Sequence, residues 1–389
     1  MRRTTRTQEK MSELILKNAR IVLKDEIVHG TVVVRAGRIA DIGGSTSLPS
    51  AEDMEGDYVI PGLVELHTDH LEGHYAPRPK VRWNPFAAVL AHDAQICSSG
   101  ITTVFDALRI GMDEDADLSA RDMRKLADAI DDGCRNDRLR ADHFLHLRCE
   151  VSAADCFDGF QVFESDDSVR LASLMDHSPG QRQFRNIEAY STYYQGKLKM
   201  SDEDFKAFCA KRIADSEANS DRNRQAISEA CKDRGIVLAS HDDATLEHVD
   251  EAVAQGIEVA EFPTTFEAAK ASKEAGLAVL MGAPNVVRGG SHSGNIAAQE
   301  LAENGLLDIL SSDYIPFSLI QSAFGLGERV DSISLPEAIC MVSKNPAESC
   351  GLDDRGEIAI GKRGDLVCVS VDHHVPIVRT VWREGRRVA

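Results

Sequence analysis

The sequence predicts an α/β fold, a (β/α)8 TIM-like barrel with a small β-sandwich built from both chain ends. Three observations carry this expectation. Eight short apolar runs between Leu63 and Lys344 alternate with amphipathic segments of helical period. Ionisable residues stand at the C-terminal ends of most of those runs, where barrels of this architecture carry their chemistry. Strand-like text occupies both ends of the chain, and neither end could cover its own sheet edges alone. Residues 12–58 and 355–389 are therefore assigned to the sandwich and residues 59–354 to the barrel.

Composition sets outer bounds on what the chain can do. Its 389 residues carry 63 acidic against 44 basic side chains, a formal net charge of -19. Nucleic acid is a poor partner for such a surface, because a nucleic-acid binder needs a basic footprint. An anionic small molecule suits it only where cations are concentrated locally against the global field. No apolar stretch approaches the roughly 18 residues of a membrane span. Nine cysteines are scattered singly with no C-x-x-C pair, which predicts reduced thiols and a cytoplasmic location. The basic start, M-R-R-T-T-R-T-Q-E-K-M, lacks the apolar segment of a secretory signal and is left out of the fold. A homodimer is the expected assembly.

Taken in order, Leu14 to Ile42 reads as short strands punctuated at Gly30 and Ala36-Gly37, and G-E-I-A-I-G to the C-terminus reads alike. The first barrel strand is Leu63 to His67, introduced by Pro61-Gly62. The others are Thr102 to Asp106, Phe144 to Glu150, Val169 to Met175, Ile236 to Ser240, Ile257 to Phe262, Ala278 to Gly282 and Leu306 to Leu310. Helical segments between them include Arg121 to Cys134, Asp202 to Cys231 and Thr245 to Gln255. A doubly wound open sheet is the competing arrangement, but the first βα turn carries no G-x-G-x-x-G.

Chemistry gathers at the strand ends. His67 and Asp69, two apart, are expected on one face of an extended strand. With Glu150, His241 and Asp313 they offer nitrogen and oxygen donors for one or two divalent metal ions, Zn(II) ahead of Mn(II) or Mg(II). His177 and Glu261 are further candidates for a ligand place. Asp313 is placed to take a proton from water, and Arg148 to neutralise a ligand or grip a phosphate. His70, Glu72 and His74 are expected in a loop beyond the ligands. Arg78, Lys80 and Arg82, spaced by two, would form one cationic wall if that segment is extended. Arg288 and His292 on the glycine-rich stretch N-V-V-R-G-G-S-H-S-G-N, with Arg182 and Lys197 on the loop after Ser178, extend the anion-binding set.

At these residues the chain resembles the amidohydrolase superfamily, through P-G-L-V-E-L-H, the barrel order and the paired β termini. The stretches H-T-D-H-L-E-G-H-Y-A-P-R-P-K-V-R-W, S-S-G-I-T-T-V-F-D-A-L, H-L-R-C-E and G-A-P-N-V-V-R-G-G-S-H-S-G-N are similar to its phosphonate-catabolic branch. That resemblance implies hydrolysis of a ribosyl methylphosphonate triphosphate to its 5-phosphate with release of pyrophosphate. It also implies a metal centre at His67, Asp69, Glu150, His241 and Asp313, with Asp313 doubling as the base. Two departures from the general pattern stand out: H-x-D replaces H-x-H on strand one, and Glu261 on strand six stands where histidine is common. The alternative function is an amidohydrolase acting on a C–N bond, which uses the same centre but has no need of a cationic wall. A silent binding barrel is a third reading, disfavoured by the complete set of candidate ligands.

Overall fold

A computed structural model describes residues 13–44, 49–111, 118–182, 201–291 and 294–389. Among the described residues the first strands are β1 (Glu13–Val22), β2 (Ile27–Arg35), β3 (Arg38–Gly43), β4 (Glu52–Asp53) and β5 (Tyr58–Pro61). Eight further strands follow: β6 (Leu63–Thr68), β7 (Ile101–Ile110), β8 (Asp142–Glu150), β9 (Val169–Met175), β10 (Val237–His241), β11 (Val259–Glu261), β12 (Ala278–Gly282) and β13 (Ile309–Ser311). The chain closes with β14 (Leu366–Asp372), β15 (Val375–Arg383) and β16 (Arg386–Arg387). Each of the eight apolar runs expected as a barrel strand overlaps one, the last beginning at Ile309 and not at Leu306.

β6 to β13 form one parallel sheet in sequence order, and a parallel bridge from Thr68 to Asp313 draws its first and last strands together. The sheet is thereby a nearly closed barrel. Glu65 seals the seam. Fully buried, it accepts from Ser311 Oγ at 2.7 Å, Ser312 N at 2.6 Å and His67 N at 2.7 Å. Burial pushes its carboxyl above the usual range, and those three donors offset part of the desolvation cost. Inside, Val64, Leu66, Phe105, Leu171, Ala239, Val259, Leu280 and Ile309 pack as one cluster fed by strands around the barrel. Gly62 lets the chain turn into β6, since a side chain there would collide with Thr102.

Helices cover the outside. The ones that matter for the site are α1 (His70–Tyr75) and α2 (Pro85–Ser98). Asn84 caps α2 by accepting from Ala87 N at 3.0 Å, and Pro85 supplies a pre-set first turn. Leu71 and Tyr75 of α1 and Ala88 and Val89 of α2 bury into the same outer core. The long helix Asp202–Arg234 runs three residues past its expected end and stops at Gly235, whose left-handed φ of 65° suits a C-terminal cap.

The two chain ends meet in one sheet of order β16-β15-β14-β5-β1-β2-β3, with β4 beside β1. Its contact with the barrel is clamped by Asp142 at the start of β8. That carboxylate accepts from Arg355 Nη1 and Arg363 Nη1, both at 2.8 Å, and from Arg383 Nη1 at 3.1 Å. Burial alone would raise the Asp142 carboxyl, but the three guanidiniums hold it below its usual value. A depressed folded-state pKa adds stability above the unfolded carboxylate range and loses it as pH falls through the folded value. Asp142→Asn is therefore expected to lower stability by about 2 kcal/mol at neutral pH, with the deficit against wild type shrinking under acid. Urea denaturation at several pH values measures it, and a deficit constant from pH 7 to pH 3 would contradict the assignment.

Candidate metal centre and active site

Register builds the centre. His241 and Glu261 are the last residues of β10 and β11 and are direct partners across that pair. His67 reaches the same point from β6. The Glu261 carboxylate bridges the two rings, with Oε1 2.7 Å from His67 Nδ1 and Oε2 2.7 Å from His241 Nδ1. The rings stack with centroids 5.8 Å apart, and all three side chains are buried. Burial would raise the Glu261 carboxyl, but the charge on His67 outweighs it and holds Glu261 well below the usual carboxylate range. In return Glu261 overcomes the burial that would lower His67 and shifts that ring upward.

β8 places a second group beside this one. Glu150 binds His177, with Oε2 2.6 Å from Nδ1 and Oε1 accepting from the His177 backbone N at 3.0 Å. Ser152 Oγ donates to the same carboxylate at 2.8 Å. Against the opposing effect of burial, the His177 charge holds Glu150 below its usual range. Asp242 links the two groups, its Oδ2 lying 3.9 Å from His177 Nε2 and 3.6 Å from His241 Nε2. His146 shares the inward face of β8 but is fully occupied, with Nδ1 2.9 Å from Leu66 O and Nε2 2.8 Å from Ser173 Oγ.

Asp313 follows the last barrel strand, and its backbone N donates to His67 O at 3.0 Å. Burial raises its carboxyl, and the neighbouring Asp69 charge adds to that. Asp242, Phe262 and Asp313 all hold left-handed φ, at 58°, 56° and 55°. Three non-glycine residues in that region, each following a strand of the barrel, hold backbone strain of about 1–3 kcal/mol apiece at the mouth.

Several expected positions turn out differently. β6 ends at Thr68, so Asp69 leaves the strand face shared with His67 and stands before α1, its Oδ2 3.2 Å from Arg148 Nη1. Arg182 is not on an open substrate loop; it is buried, with its guanidinium spent on Asp243 and Glu251. Arg78, Lys80 and Arg82 do not line one side of an extended segment. Val81 N closes a turn on Arg78 O at 3.0 Å, Lys80 holds φ 63°, and the Arg82 guanidinium lies 5.9 Å from the Tyr75 ring centroid. Arg288 is exposed at the end of the helix Ala283–Arg288, where glycine-rich loop was expected. His292 and Lys197 lie outside the described residues. His70 and His74 sit on α1, not in a loop.

Two residues at the mouth escaped the sequence reading. In H-D-D, Asp242 directly follows the candidate ligand His241, and that adjacency is the signal for it. Arg109 lies beside Arg148 in the β7–β8 register, and its charge acts on half-buried Glu72. The alternation F-D-A-L-R, which continues β7 past Asp106, was the available signal.

The donor set fits a cation. Glu150, Glu261, Asp242, Asp313 and Asp69 crowd the mouth, with Arg148 and its neighbour Arg109 as permanent positive charges beside them. Carboxylate and imidazole donors in a buried site are those a divalent transition ion accepts, and uncompensated burial of this many carboxylates is costly.

The profile of the amidohydrolase family matches residues 215–389. The chain is 48% identical over 378 residues to the alpha-D-ribose 1-methylphosphonate 5-triphosphate diphosphatase of Escherichia coli (strain K12), covering 96% of this chain and all of that protein. It is also 25% identical to the imidazolonepropionase of Thermoplasma volcanium, over 91% of this chain and 87% of the relative. Among solved structures, the dihydropyrimidinase from Brevibacillus agri superposes with a TM-score of 0.63 at 12% identity, covering 97% of this chain and 95% of that one. N-acetyl-D-glucosamine-6-phosphate deacetylase from Mycobacterium smegmatis gives 0.63 at 14% identity, covering 97% and 100%. These structural likenesses show the shared fold. The identity extending over 96% of this chain and all of that protein shows more: this chain belongs to the amidohydrolase superfamily and, within it, to the family of alpha-D-ribose 1-methylphosphonate 5-triphosphate diphosphatases.

Proposed function

We propose that the chain hydrolyses the 5-triphosphate of alpha-D-ribose 1-methylphosphonate 5-triphosphate to the 5-phosphate and pyrophosphate, as a step of phosphonate catabolism. The observation that carries this reading is the 48% identity to a protein of that name along its entire length. The reaction adds one water across one phosphoanhydride bond. Its oxygen goes to phosphorus, and its second proton must leave.

His67, His241, Glu261, Glu150 and Asp313 are the residues we assign to hold one or two divalent ions, with His177 and Asp242 alongside. When bound, such an ion acidifies water and neutralises charge on the phosphoryl group under attack. Asp313 is assigned the proton. It stands next to the His67 strand end, its backbone N 3.0 Å from His67 O, at the mouth where that water would be held. Arg148, held at 3.2 Å by Asp69, is assigned the developing negative charge, which its fixed planar donors can meet. Arg288, His292, Lys197 and the segment from Arg78 to Arg82 are assigned to the outer phosphates and the phosphonate. An anionic small molecule is the substrate class for which an acidic protein would keep such cations. Nine cysteines without a disulfide support a cytosolic setting.

Three outcomes are expected. Phosphorus NMR of the chain incubated with the ribosyl phosphonate triphosphate, a nucleoside triphosphate and a panel of cyclic amides should show pyrophosphate from the first. Turnover of an amide with no pyrophosphate would sink the assignment. Glu261→Gln should remove the metal held at the barrel mouth and lower kcat/KM by at least about 100-fold, since losing even a group that only orients metal ligands costs up to that; elemental analysis beside the kinetics reads both. Arg288→Ala should raise KM by about 10-fold with kcat unchanged, as expected for loss of a charge-assisted contact made equally in ground and transition states. Steady-state kinetics identical to wild type would remove Arg288 from the substrate set.

A further inference from the structure

α1 and α2 bring three histidines together outside the centre described above. His70 and His74 stand four apart on α1, a spacing that puts both on one helix face, and His92 approaches from α2. Ring centroids are 4.8 Å apart for His70 and His74, and 6.1 Å from each of these to His92. One ring nitrogen from each lies within 4.8 Å of the other two.

The hydrogen bonding around this cluster is lopsided. His92 is fully buried, and its Nε2 lies 2.8 Å from Asp106 Oδ1, while Asp106 Oδ2 lies 2.7 Å from His143 Nδ1. A carboxylate accepts, so Nε2 of His92 is the donor, and in the neutral ring that leaves the lone pair on Nδ1. That Nδ1 is buried with no hydrogen-bond partner, as are His70 Nδ1 and His74 Nε2. Gln95, one turn beyond His92, bonds the side chain of His74. Leaving three buried ring nitrogens unmet costs about 1–3 kcal/mol each. A direct bond among the rings would relieve this, and none forms. An anion would meet the His92 lone pair head-on. A cation answers the pattern, and a carboxylate fixing the far nitrogen of a ligating histidine is the usual outer shell of a metal site.

We infer that His70, His74 and His92 form a second metal site, selective for a Zn(II)-class ion, that pins α1 to α2. Three imidazoles favour such an ion over Mg(II) or Ca(II), and they leave a fourth position for water. Because α1 follows Asp69 directly, the site would also steady the carboxylate that holds Arg148. The inference does not rest on the reaction proposed above, and its test reads metal, not turnover.

The full chain, stripped of metal and reloaded with zinc alone, is assayed by elemental analysis as wild type, His74→Ala and Glu261→Gln. The His74 variant is expected to hold one zinc ion fewer than wild type, while the Glu261 variant keeps the zinc at the three histidines. Cobalt(II) in place of zinc should give a visible absorption band that the His74 change removes. Equal zinc content and an unchanged cobalt spectrum in a folded His74 variant would overturn the inference. Should that variant not fold, crystals of the zinc-loaded wild type decide it: an anomalous peak bonded to the three rings is expected, and none there beside an occupied barrel centre overturns it.

Discussion

A single carboxylate held between two imidazoles organises the mouth of the barrel. Glu261 makes a 2.7 Å contact with His67 on one side and with His241 on the other, so strands from opposite parts of the sequence are tied at one point. The arrangement survives because the barrel closes behind it. Glu65, buried among Ser311, Ser312 and the His67 backbone, locks the first strand to the last and sets the height at which His67 emerges. The left-handed turns at Asp242, Phe262 and Asp313 are strained geometries that this closed frame can hold and a free loop could not. Packing energy from the outer helices thus sustains local conformations that the site needs.

Charge then separates the roles. Carboxylates crowd the mouth, and Arg148 is held among them by Asp69. A cation at the centre would balance the carboxylates, while Arg148 remains for the substrate's own charge. The overall charge of -19 makes local cations necessary for any polyanionic substrate. On this reading the fold is generic to a superfamily and the side chains around its mouth are particular to polyphosphate chemistry.

Much of this was legible in the chain. The eight strands could be read because parallel barrel strands are continuous apolar runs, and their ends because no core strand tolerates His67, Glu150, His241 and Glu261 without a purpose. Two of the departures share a cause, which is that spacing by two does not report whether a segment is extended. Asp69 lies one residue past the end of β6, so the spacing that pairs it with His67 in extended chain no longer applies. Arg78, Lys80 and Arg82 fall on a turn for the same reason. Arg182 reads as a loop cation in the sequence, but Asp243 and Glu251, some sixty to seventy positions away, enclose it. Glu65, Asp242 and His92 depend on contacts between strands or helices distant in sequence, which no local pattern discloses.

The central claim is that water is delivered to phosphorus in this barrel. Turnover of the ribosyl phosphonate triphosphate in 18O-enriched water, followed by the isotope shift in the phosphorus spectrum, tests it most directly. The account predicts one new P–18O bond per turnover, carried by either the 5-phosphate or the pyrophosphate. Products without label on phosphorus, or label appearing on carbon of an amide substrate instead, would contradict it.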